Sequence, residues 1–311
     1  MRPPATLMFR SAALPYVLML LGAASFAVMA MFTVALKEQV DWQWIAIART
    51  GLAMTFAATM ATAAGKRLVF FRPRKLWMRS IAGSVSLVCG FYAMTHYPVS
   101  EVLTLTNMFP LWVAVLSLPL LGEWPSLDVW PAVLMGIAGV VLIQQPQFGN
   151  GQFDGTQIAV AAAILSSFTS AVALIGLHQV RELDPRAVVV HFSAVALACC
   201  VAALFVFPTE HPFSLDWRTA ALLLGVGVSA TIGQLFLTIA FATGPPARVS
   251  VVGLSQVGFT MLLEMLVSQR SFSPLTLVGI GLVILPTAWT LLRGGTQHKT
   301  EVVPLPLHKA A

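Results

Sequence analysis

Charge is scarce in this 311-residue sequence. Only 10% of residues are Asp, Glu, Lys or Arg, while 58% are hydrophobic. Soluble domains carry about 25% charged residues, so this chain cannot build an ordinary water-facing surface. Its mean hydropathy of +0.84 agrees. Cysteine is scarce as well. Cys89, Cys199 and Cys200 lie inside apolar runs, without a CxxC pair or Cys/His metal spacing. That excludes a zinc-finger-like site and leaves three small buried hydrophobes. No Gly-x4-Gly-Lys-Ser/Thr occurs, so no P-loop binds ATP here. HExxH and GxSxG are also missing, which removes two hydrolase signatures. No cofactor is implied. The net charge of +6 comes from short loops between apolar runs, a pattern of membrane orientation and not of nucleic-acid binding.

What is present is a series of long apolar runs. About 20 apolar residues cross roughly 30 Å of hydrocarbon. Ten candidate spans satisfy this: about 15–36, 42–64, 77–96, 99–121, 127–145, 156–178, 187–208, 217–241, 248–269 and 274–292. Proline and glycine punctuate the gaps, at Gly65, Pro73, Pro98, Pro125, Pro185, Pro208 and Pro274. The first run exceeds the length of a signal-peptide core, so it reads as an uncleaved helix. With the N-terminus in the cytoplasm, fourteen Lys and Arg fall on one side. Only Lys37, Arg218 and Arg270 fall on the other, and Arg49 stays inside a span. This asymmetry predicts both termini in the cytoplasm of an inner or plasma membrane. Loop 65–79 contributes six of the cations, explained by anionic inner-leaflet lipid without a ligand.

The chain repeats itself. At an offset of 147 residues Pro98 falls on Pro245, Ala93 on Ala240 and Ser126 on Ser273. The span–turn–span from Pro98 to Ile143, with its turn Gly122-Glu123-Trp124-Pro125-Ser126, falls on the last two spans. The expected fold is all-α and integral to the membrane: ten transmembrane helices in two five-helix repeats. Five is odd, so the repeats are inverted. The halves are 15–145 and 156–292, followed by a polar, disordered cytoplasmic tail, 293–311. Inverted repeats are a transporter signature, with the substrate path at their interface.

Several stretches carry a family resemblance. In the first half they are Ile47-Ala48-Arg49-Thr50-Gly51, Phe91-Tyr92-Ala93, Tyr97-Pro98-Val99-Ser100-Glu101, Pro110-Leu111-Trp112, Leu121-Gly122-Glu123 and Gly136-Ile137-Ala138-Gly139-Val140. Ala240-Phe241-Ala242-Thr243-Gly244 and Gly279-Ile280-Gly281 match in the second half. The chain resembles an EamA-type member of the drug/metabolite transporter superfamily. It departs where the second half's helix-ending acid is expected, because Arg270 stands there. The resemblance implies ten helices around a central cavity and alternating access for small metabolites, often exported.

Polar residues inside spans are the candidate substrate path, since charges in lipid face a cavity or a partner. Arg49 lies about seven residues, or about 10 Å, into span two. Glu264 lies at similar depth in span nine, and Glu101 and His96 near outer ends. Two readings stand for Arg49: contact with an anionic substrate group, or a structural ion pair with Glu101 or Glu264. Gln256, Thr260 and Glu264 form one helical stripe. Glu101, Thr104 and Asn107 form a second, and Thr231, Gln234 and Thr238 a third. Such stripes either glue helices or line a pore. Trp112, beside the kinking Pro110, and Tyr92 complete the candidates. The serines of span six read as close-packing residues. His178 and His191 need no ligand role, and the remaining tryptophans read as interfacial belts.

The expected function is secondary transport of a small organic metabolite, amino-acid-like or otherwise polar, as an exporter. Partners would be the substrate, the lipid bilayer and protons or another coupling ion. The rival classes are an intramembrane enzyme and a membrane receptor or scaffold without transport.

Overall fold

The computed structural model describes residues 13–36, 39–96, 99–144, 156–209, 211, 215–268 and 273–294. All regular structure among them is α-helical. The helices are α1 (Leu14–Leu36), α2 (Trp42–Ala63), α3 (Arg74–His96), α4 (Val99–Thr106), α5 (Phe109–Leu121), α6 (Val129–Gln144), α7 (Thr156–Gln179), α8 (Pro185–Val206), α9 (Trp217–Thr243), α10 (Pro246–Gly253), α11 (Ser255–Ser268) and α12 (Pro274–Gly294). Their starts follow local chemistry. Asp184 and Asp216 accept hydrogen bonds from Arg186 N–H and Thr219 N–H, both at 2.9 Å, as helix N-caps do. Pro185 opens α8 and Pro246 opens α10 at positions where a missing N–H costs nothing. Gly122 ends α5 at φ +74°, a left-handed cap that favours glycine.

Among the described residues seven segments are long and apolar enough to cross a membrane: Leu14–Leu36, Trp42–Ala63, Val102–Leu121, Gln157–Gln179, Pro185–Val206, Trp217–Thr243 and Pro246–Val267. Val129–Leu142 and Pro274–Trp289 are shorter apolar helices. The helix that falls short by composition is α3, which carries Arg74, Lys75 and Arg79. Leu21, Ile81, Leu134, Leu285 and many other large apolar side chains point outward, a surface that lipid covers and water does not. The predicted tail beyond Gly294, the 145–155 connection, Pro98 and Arg270 lie outside the described residues.

Spans four and nine, expected as continuous helices, are each broken in two. In the first, Met108 N–H donates to the Leu105 carbonyl at 3.2 Å and Leu111 N–H to the Met108 carbonyl at 3.0 Å. In the second, Leu254 N–H donates to Val251 at 3.1 Å and Val257 N–H to Leu254 at 3.0 Å. These are the same two tight i→i−3 bonds, 146 residues apart, one residue off the 147 that aligns the turns. Different side chains produce them. Pro110 removes a backbone donor in α5. The second break carries no proline and instead has Gly253, closely approached by Met19 and Phe109.

The helices pair closely: α1 along α9, α3 along α7, α2 along α8 and α6 along α12. Small residues permit this. A Cβ on Gly22 would sit 3.3 Å from the Gly233 carbonyl. In the α3–α7 seam hydroxyls play the same part. Ser166 Oγ donates to the Ser86 carbonyl at 2.8 Å, and the Ser86 and Ser170 hydroxyls bond each other. The packing role read for these serines matches this geometry.

Burial is unequal between the two ends. At the end holding the starts of α1 and α3, Tyr16, Met19, Leu76, Leu177, Val188, Phe241 and Val249 form one cluster. Beside it, Val113, Val133, Ile175 and Val251 form another. Together they join α1, α3 and α5–α10. At the opposite end, Leu36, Ile45 and Leu223 cluster apart from Ala93, Val102 and Ala163. The first end is thus joined by two adjacent clusters that draw on both halves, while the other is divided among smaller clusters, and Val140, Val257, Met261 and Val283 form a further one between α6, α11 and α12.

Candidate functional site

Arg49 is the cation deepest along α2. Its guanidinium carbon lies 5.9 Å from the centre of the Phe26 ring on α1. Gly233 of α9 faces the same ring, where a Cβ would come within 3.0 Å of it. Gln234, the next residue, is buried. Arg49 and the Gly233–Gln234 step thus flank Phe26. Arg49 forms no ion pair with any described carboxylate. The ion pair read as the structural alternative is absent for Glu264; the Glu101 side chain lies outside the described residues. Phe26, which organises this corner, carries no signal in the sequence, since one more aromatic in an apolar run is ordinary.

The other candidates disperse. Asn107 sits in the first helix break and donates its Nδ2–H to the Leu103 carbonyl at 2.7 Å, so it satisfies backbone there. Trp112 stands edge-on to Phe168, ring centres 5.6 Å apart, in the α5–α7 seam. Tyr92 stacks on His96 at 4.2 Å and meets Phe207 at 5.1 Å. Together with Trp42, which meets Phe207 at 6.0 Å, they form an aromatic rim. Asp41 reinforces the rim by accepting from His211 N–H and bonding its Nδ1, at 2.9 and 3.0 Å. That diverts the carboxylate from capping α2. Gln256, Thr260 and Glu264 share a half-buried face of α11. Thr260 bonds the Gln256 carbonyl at 2.9 Å, and Thr231 and Thr238 bond back to α9 in the same way. Their hydroxyls are satisfied by their own helices.

One basic residue departs from its sequence reading. Arg79, grouped above with the lipid-facing cations of loop 65–79, is 3% exposed. Its stem passes Gly176 of α7, where a Cβ would lie 2.9 Å from it. Its guanidinium stacks 3.9 Å from the Phe192 ring centre. Nε and Nη1 find no hydrogen-bond acceptor. Two orphan donors cost about 1–3 kcal/mol each, more than the roughly 2 kcal/mol a desolvated cation–π contact returns. Arg79→Met is therefore expected to raise the melting temperature in detergent by a few degrees; a fall would show that the guanidinium stabilises the fold. His191 is equally buried. Its Nε2–H donates to the Phe70 carbonyl at 3.0 Å, and its Nδ1 accepts from Ser80 Oγ–H at 2.7 Å. It pins the basic loop to α3 and α8.

Arg248 stands at the start of α10. Its Nη2 reaches Ser126 Oγ at 3.0 Å and the Asp128 carboxylate at 3.2 and 3.3 Å. No group of three or more metal-ligating side chains occurs among the described residues.

Comparisons with known proteins agree with this architecture. The pseudopaline exporter of Pseudomonas aeruginosa (strain UCBPP-PA14) is 29% identical over 171 residues, 54% of this chain and 57% of the exporter. The match thus spans little more than half of that relative. An uncharacterized transporter of Helicobacter pylori (strain J99) is 23% identical over 68% of this chain and 71% of its own. A solved crystal structure superposes with a TM-score of 0.77 over 91% of this chain and 97% of that one, at 18% identity, a likeness of fold alone. The pattern of the EamA-like transporter family matches twice, at residues 13–145 and 157–292. The chain is accordingly a multi-pass membrane protein of the EamA-like transporter family, a family of transporters and not of enzymes.

Proposed function

We propose that this protein is a secondary transporter that exports a small polar organic metabolite by alternating access. It has ten transmembrane helices in two inverted halves, 15–145 and 156–292, with both termini in the cytoplasm. The observation that carries this reading is the matched pair of broken helices. Discontinuous helices at corresponding positions of two repeats mark the substrate site of many transporters, and here the same hydrogen-bond switch recurs at Met108 and Leu254.

Packing supports the inversion. Exchanging the halves turns α1·α9 into α7·α3 and α2·α9 into α8·α3, and it maps α2·α8 and α6·α12 onto themselves; all are close pairs. The exchange is not perfect. Among the described residues α5 packs on α10 and α7 on α9, whereas their counterparts, α11 with α4 and α1 with α3, have no comparable contact; α6 with α10 and α1 with α12 likewise lack a counterpart. In the proposed topology the joined end is cytoplasmic, so this state is closed inward and open outward. Transport would exchange these two sets of contacts.

Arg49, beside Gln234, is proposed to receive a carboxylate of the substrate, which favours amino-acid-like molecules. The Pseudomonas relative, an exporter by its name, supports the outward direction. Glu264 is proposed to carry the coupling proton. The test is flux. Purified protein in liposomes should show counterflow of a labelled amino-acid-like metabolite, dissipated by excess unlabelled substrate. Chemical turnover of a lipid or metabolite without flux would overturn the reading.

A further inference from the structure

The polar residues that close the inward end form a separate cluster. Arg248 stands on the second half, at the first turn of α10. Ser126 and Asp128 belong to the turn between α5 and α6, on the first half. Arg248 bonds both, and its guanidinium stands close to the Tyr16 side chain on α1. One side chain therefore ties α10 to the α5–α6 turn of the other half. Gln179 adds a second bond across the halves, donating Nε2–H to the Leu120 carbonyl at 2.8 Å. Below lies a recess lined by Ser117, Leu121, Trp124, Val129 and Pro246.

We propose that Arg248, with Asp128, Ser126 and Tyr16, is the inward-side latch of the transport cycle. It is a positioning residue that sets how often the α5–α10 contact opens, and it does not bind substrate. The proposal rests on the alternating-access reading above. Three features suit a latch. The pair is only partly buried, with 15% of the Arg248 side chain and 29% of the Asp128 side chain exposed, so water can solvate both charges on opening without the large penalty of a buried pair. One nitrogen, Nη2, reaches the Ser126 hydroxyl and both Asp128 oxygens, a charge-assisted contact that holds two residues of the turn at once. The repeat-related position of Arg248, 147 residues earlier, is Glu101, so the two ends carry opposite charges and the latch is not duplicated in kind. The Ser126 hydroxyl, and after it Arg248, hold the Asp128 carboxyl below its usual range. The carboxylate is thus ionised at any cytoplasmic pH.

Thiol accessibility tests this without knowledge of the substrate. In a background with Cys89, Cys199 and Cys200 changed to Ala, Ser117→Cys places one thiol in the recess. A membrane-impermeant maleimide is then added to inside-out vesicles. Arg248→Gln and Asp128→Asn should each speed labelling about fivefold, and Arg248→Lys should speed it less. Arg248→Glu combined with Asp128→Arg should return the rate toward that of the parent. Melting temperatures of the purified variants separate opening from unfolding. Unchanged labelling in Arg248→Gln, Arg248→Lys and Asp128→Asn would overturn the latch. Faster labelling in a protein that moves no metabolite would leave the latch standing and remove the transport reading. Normal flux with unchanged labelling would do the reverse.

Discussion

Gly139→Leu is expected to be the most damaging single substitution in the helical scaffold. α6 and α12 meet at Gly139, where a Cβ alone would lie 2.7 Å from the Gly279 carbonyl, 2.8 Å from Val283 Cγ2 and 3.0 Å from Leu282 Cβ. Two of these three atoms are backbone or the root of a side chain, so no rotamer change relieves the clash. The helices must separate, and in a lipid solvent close van der Waals packing is most of what holds them. Overpacking of this kind costs about 3 kcal/mol or more, which corresponds to a fall of roughly 5–10 °C in melting temperature. Gly281→Leu is the control. It lies on α12 with nothing within 4 Å of its Cβ position, and it should melt within a degree or two of the parent. Equal losses in both variants would show that the α6–α12 approach is not what matters.

Arg49→Ala is expected to lower metabolite flux at least tenfold while leaving melting unchanged or slightly raised. Arg49 makes no ion pair with a described carboxylate, and its ring contact with Phe26, at 5.9 Å, is at the limit of cation–π range. Removing it takes away little stabilising energy and relieves a desolvated charge. Loss of substrate attraction should therefore dominate. Arg49→Lys keeps the charge without the planar fork and should fall between. Because Arg49 and Glu264 are not joined, Arg49→Ala and Glu264→Ala should act independently, with a coupling below about 0.5 kcal/mol. Flux at the parent level in Arg49→Ala would remove it from the substrate path. A collapse of melting temperature would return it to a structural role.

Much of the scaffold was legible because lipid imposes simple rules. An apolar run must be a helix of bilayer length, and proline, glycine and charge mark its ends. Predicted spans such as 42–64, 217–241 and 274–292 end within two residues of α2, α9 and α12. The breaks in spans four and nine were not legible, although Pro110 hinted at a kink in the first. The second lacks a proline and arises where Met19 and Phe109 crowd Gly253, which is a tertiary fact. The polar stripes leave two roles open for a related reason. Helical spacing puts Gln256, Thr260 and Glu264 on one face, but a threonine hydroxyl can satisfy itself on its own helix, as Thr260 does. Arg79 misled because its neighbours in sequence are loop cations, whereas its neighbours in space are Gly83, Gly176 and Phe192.

The hairpin from Pro98 to Ile143 illustrates the division. Its sequence alone established apolar crossing segments, a short Gly122–Ser126 turn and a counterpart near the chain's end, because hydropathy and turn chemistry are local properties. Only the tertiary structure decided that Asp128 and Ser126 meet Arg248, that Arg49 faces Phe26 without a described counter-ion, and that one end is joined across both halves while the other divides into smaller cores. Those outcomes depend on which helix faces touch across some 120 residues of chain, and such contacts follow from packing that no local pattern encodes.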